Sequence, residues 1–127
     1  MPLDTFAIPQ TGARAPLIDD GALRDLLEEV GLDLFLAFAA RMRASAQIHL
    51  EALERPEEAP RASHALCGLL GHFGLMRAAE LARAIQPLPP ADPQAPPLVA
   101  ALKAALADSL AQLPDRARAL AAPAGAK

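Results

Sequence analysis

Residues 32–53 read LDLFLAFAARMRASAQIHLEAL, and within them Phe35, Phe38, Ala39, Met42, Ala46, His49, Leu50 and Leu53 recur at steps of three and four. That is the period of an α-helix, so these side chains form one apolar stripe over about six turns. Charged residues such as Arg41, Arg43 and Glu51 belong to a solvated face. A long helix with a single stripe must bury it against other helices, which predicts a bundle.

The segments on either side repeat the pattern. Before it, Asp19 or Asp20 is suited to cap a helix whose Leu23, Leu26, Leu27 and Val30 keep helical spacing up to Gly31. After it, Arg55, Pro56, Glu57 and Glu58 interrupt the stripe, and a new helix can start at Ala59 or Pro60, because proline is tolerated in a first turn. Gly74 ends that helix near Phe73, and residues 75–86 present Ala78, Leu81, Ala82 and Ile85 inward. The proline-rich residues 87–97 form a connection. A last long helix then buries Val99, Leu102, Leu106, Leu110 and Leu113, and is expected to fray into an Ala-rich tail after Pro114. The reading is all-α: an antiparallel four-helix bundle with a short additional N-terminal helix. It divides the chain into an N-terminal arm over residues 1–17, a bundle over 18–113 and a C-terminal tail over 114–127.

Composition agrees with one helical core. The 127 residues include no Trp or Tyr and are rich in Ala and Leu, so propensity offers little to a strand. A net charge of -3 with no basic tract argues against nucleic acid as a partner. The N-terminus lacks a basic segment leading into an apolar run, and no stretch reaches the roughly 20 apolar residues of a membrane span. The single cysteine, Cys67, cannot form an internal disulfide, so a cytoplasmic setting is expected.

The helix from Ala59 to Phe73 carries the chemistry. At about 100° per residue, Ala62, Leu66, Leu69, Leu70 and Phe73 gather on one side, and His64 points roughly 180° from them. Arg61, Cys67, Gly68 and Gly71 fall within about 60° of His64. Two glycines inside a helix cost on the order of 1 kcal/mol each relative to Ala, and on an outward face close approach by another molecule explains them. An exposed neutral imidazole has a lone pair available as nucleophile, and attack on a phosphoryl group gives a phosphohistidine.

Residues 63–82, SHALCGLLGHFGLMRAAELA, resemble the signature of the histidine phosphotransfer (HPt) family. His64, Leu66, Gly68, Gly74 and the run Ala79, Glu80, Leu81 match in place, and the resemblance extends over about residues 18–113. It implies a phosphocarrier that takes a phosphoryl group from an aspartate of one receiver domain and passes it to an aspartate of another. The implied partners are receiver domains of hybrid histidine kinases and response regulators, with the carrier a monomer. It implies no enzyme with its own nucleotide, metal or cofactor; Mg²⁺ and most charge stabilisation would come from the receiver. The family commonly has lysine three residues after the histidine, where this chain has Cys67. Arg61, one turn on the other side, is a substitute donor to phosphate, and Arg77 is a second candidate.

His72 lies about 80° around the helix from His64, at the rim of the same face; it reads first as a polar residue at a helix end, with a hydrogen bond in the site or a partner contact as the alternative. His49 reads as a core histidine with a satisfied ring. His64 and Cys67 fall short of a zinc ligand set. The competing functional reading is an HPt-like adaptor that binds a receiver or kinase without being phosphorylated.

Overall fold

The computed structural model describes residues 15–89 and 91–122. Among them the chain is all-helical, with five helices: α1 (Asp20–Val30), α2 (Leu32–Ala52), α3 (Ala59–His72), α4 (Met76–Ile85) and α5 (Ala95–Ala121). Most of the expected N-terminal arm, residues 1–14, and the last tail residues, 123–127, lie outside the described part. No described helix is long and apolar enough to cross a membrane.

Local chemistry explains the boundaries. The Asp19 carboxylate accepts from the backbone N–H groups of Gly21 at 3.0 Å and Ala22 at 3.3 Å, giving α1 a side-chain cap. Gly31 separates α1 from α2. At the end of α3 the N–H of Leu75 donates to Leu70 O at 2.9 Å and that of Gly74 to Gly71 O at 3.0 Å. This is a Schellman close, and it needs the positive φ of 78° that Gly74 adopts. Leu70 and Leu75, the apolar pair that accompanies such a close, are both fully buried. The same turn is tied to the start of α1, because Asp19 N–H donates to Gly74 O at 2.7 Å.

All five helices contribute to one core. Leu23 of α1, Phe35 and Met42 of α2, Leu66 and Leu70 of α3, Ala78 and Ala82 of α4, and Leu98 and Leu102 of α5 are almost wholly shielded from solvent. The Phe35 and Phe73 rings meet at 5.7 Å between centroids, an aromatic contact that adds to their area burial. α3 packs most closely on α4, and α4 on α5.

Two expectations are corrected. The helical period places Phe38 in the buried stripe of the long helix, but it is 36% exposed. The buried row narrows to Phe35, Met42, Ala46, Leu50 and Leu53, and Phe38 sits on its edge. The chain also does not fray after Pro114: α5 runs on to Ala121 with the proline inside it. Pro114 lacks the N–H that would bond the preceding turn. Burial of Ala117 and an ion pair from Arg116 to Asp20 at 2.7 Å hold the last turns against α1 despite that loss.

Candidate functional site

His64 stands in the first half of α3, where Pro60 occupies the first turn and the Arg55 guanidinium grips Glu58 just before the helix. That hydrogen bond, with a smaller contribution from Arg61, holds the Glu58 carboxyl below the usual carboxylate range. Ser63, next to His64, is fully buried, and its hydroxyl donates to Pro60 O at 3.1 Å. The backbone under the histidine is thereby fixed while its imidazole lies on the exposed side of the helix.

The ring is engaged from the neighbouring helix. The amide nitrogen Nε2 of Gln86, at the C-terminal end of α4, lies 3.1 Å from Nδ1 of His64. An amide turned about its last bond offers a donor or an acceptor at the same place, so Gln86 can serve either ring tautomer. Cys67, one turn along α3, is half-buried, and Arg83 lies across from it on α4, with its Nη1 2.6 Å from the Glu80 carboxylate. Interaction with Cys67, then the Glu80 hydrogen bond and charge, raise the Arg83 pKa above its ordinary value. One turn further, a Cβ on Gly71 would meet the Ala79 Cβ at 3.9 Å. His64 with Gln86, Cys67 with Arg83 and Gly71 with Ala79 are successive rungs of an antiparallel hairpin folded at Gly74.

The residues singled out in the sequence separate into groups. Arg61 and Gly68 are exposed beside His64, and a Cβ at Gly68 would meet nothing within 4 Å, so open space lies over that turn. Cys67 and Gly71 lean toward α4. His72 is exposed but faces α2: its ring is edge-on to Phe73 at 5.5 Å, and it lines a shallow depression with Phe38, Met42 and Leu69. Arg77 is committed elsewhere, its Nε donating to Ala15 O at 3.1 Å and tying the segment before α1 to the start of α4. Gln86 and Arg83 were not anticipated, because a wheel drawn for one helix does not show what faces it from another. The hairpin register around Gly74 is the signal that would have found both. His49 is half-buried, as part of its helix's inner border.

Among the described residues, no three His, Cys, Asp or Glu side chains come together in a metal-binding group. Comparison of the chain with protein-family models, with curated proteins and with solved structures gives no match.

Proposed function

We propose that this chain is a histidine phosphotransfer protein, relaying a phosphoryl group between aspartates of receiver domains through His64, as a cytoplasmic monomer. In this reading α2 to α5 form an antiparallel four-helix bundle and α1 is the additional short helix. The observation that carries it is an exposed imidazole whose Nδ1 is engaged by Gln86 at 3.1 Å, beside the open turn at Gly68.

The chemistry follows from that arrangement. With the Gln86 amide turned about its last bond so that Oε1 replaces Nε2 beside the ring, Nδ1 carries the proton and donates, and the ring's Nε2 on the far edge holds the lone pair. Nε2 attacks the phosphorus of a receiver's aspartyl phosphate. The N–P bond forms as the bond from phosphorus to the aspartyl oxygen breaks, and the carboxylate leaves with that electron pair. The proton stays on Nδ1, so the phosphorylated ring is an imidazolium still bonded to Gln86. In the second transfer a carboxylate oxygen of another receiver attacks phosphorus, the N–P bond breaks and its electron pair returns to Nε2.

The test is incubation with a receiver domain carrying a radiolabelled phosphoryl group. Acid-labile label is expected on the wild type and absent from His64→Gln; label persisting in that variant overturns the proposal. The adaptor reading is favoured by one feature, Cys67 in place of a cation one turn after His64. It requires receiver binding with no label on the wild type.

A further inference from the structure

We infer that Arg83, reaching across from α4, is the cation that binds the phosphoryl group carried by His64; this rests on the phosphotransfer reading above. The hairpin register places Arg83 opposite Cys67, and the two observed contacts on either side, Gln86 on His64 and Ala79 against Gly71, fix that register independently. Arg83 and Gln86 are one turn apart on α4, as Cys67 and His64 are on α3, each a rise of about 4.5 Å. The guanidinium is thus about one turn from the imidazole, on a side chain long enough to span that distance.

Its present partners suit the role. The Arg83 side chain is 61% exposed, and Glu80 holds it from the end of the site farther from His64. A phosphoryl group on Nε2 brings about two negative charges and three acceptor oxygens, to which the planar guanidinium fork can bind bidentately. Arg83 then turns from Glu80 toward the phosphoryl oxygens and screens them from the Glu80 carboxylate. The other nearby cations are less well placed. Arg61 lies one turn away on the opposite side of His64 from α4's Arg83, while Arg77 is bonded to the Ala15 carbonyl. Charge that α3 lacks after His64 is therefore supplied by α4.

Phosphoramidate, a small donor that phosphorylates histidine without a partner protein, isolates this role. Phosphorylation of His64 is followed by intact mass, with His64→Gln as control. Arg83→Ala is expected to lower the labelling rate about tenfold, Arg83→Lys to recover most of it, and Cys67→Lys in the Arg83→Ala background to restore it by supplying the cation from α3. Thermal melts of Arg83→Ala and Arg83→Lys should match the wild type, since Arg83 is exposed. Equal rates for wild type and Arg83→Ala, or a loss confined to Arg61→Ala, overturn the inference and leave the phosphotransfer reading standing. A wild type with no label on His64 from either phosphoramidate or a phosphorylated receiver overturns that reading and the inference with it.

Discussion

The Gln86 amide meets Nδ1 of His64 across two helices at 3.1 Å, the one side-chain hydrogen bond that the histidine makes among the described residues. It fixes which edge of the ring faces outward, as the proposed phosphotransfer requires. Gln86→Ala should therefore slow phosphoryl transfer about tenfold, the effect of losing one hydrogen bond of roughly 1.4 kcal/mol. Its melting temperature should stay close to that of the wild type, because Gln86 caps the end of α4 and is only half-buried. Unchanged transfer time courses in Gln86→Ala would remove the amide from the site.

Gly68 offers a way to separate docking from chemistry. Nothing lies within 4 Å of a Cβ placed there, so a larger residue folds without conflict and gains helix propensity of about 0.5–1 kcal/mol. Gly68→Gln is expected to melt at or above the wild-type temperature, to accept phosphate from phosphoramidate at a near-normal rate, and to lose at least about tenfold in transfer from a receiver domain. A variant equally impaired with both donors would mean that Gly68 serves the imidazole itself rather than an approaching protein.

How much of this was legible beforehand depends on whether a feature lies within one helix or between two. The Asp19 cap, the break at Gly31 and the turn at Gly74 are local, and the periods of leucine and alanine around them mark the helices to within a residue or two. Exposure of His64 is also a one-helix property, and its phase against Leu66 and Leu70 predicted it. The exposure of Phe38, the depression that His72 lines and the Ala15 carbonyl that holds Arg77 are not legible in one helix, because these surroundings come from elsewhere in the fold. Gln86 and Arg83 escaped notice for the same reason. Pro114 misled in the other direction, since a local helix breaker was overridden by tertiary burial.

The glycines of the α3–α4 hairpin should respond oppositely to alanine. At Gly74 the backbone has φ of 78°, and a Cβ would come within 3.1 Å of the Asp19 carbonyl oxygen, which belongs to the first turn of the neighbouring α1. Gly74→Ala is expected to cost about 2 kcal/mol, from the left-handed conformation and the displaced contact together. Gly71→Ala gains helix propensity and makes an ordinary contact with Ala79 at 3.9 Å, so it should be neutral or stabilising by up to about 1 kcal/mol. Denaturant unfolding of the two variants measures both; a Gly71→Ala loss as large as that of Gly74→Ala would contradict the α3–α4 spacing.

The last turns of α5 provide the sharpest test of the helix beyond Pro114. Ala117 is fully buried while Ala119, two residues on, is exposed. A carboxylate forced into the Ala117 position loses its water without a partner, and Ala117→Asp should destabilise the protein by about 2–4 kcal/mol. Ala119→Asp should change stability by no more than about 0.5 kcal/mol, as surface substitutions do. Arg116→Ala removes the half-exposed pair with Asp20 and should cost about 0.5 kcal/mol, less at high salt. If residues 114–121 were a frayed tail, all three variants would unfold at the same denaturant concentration as the wild type, so a single set of chemical melts decides whether this segment belongs to the folded core.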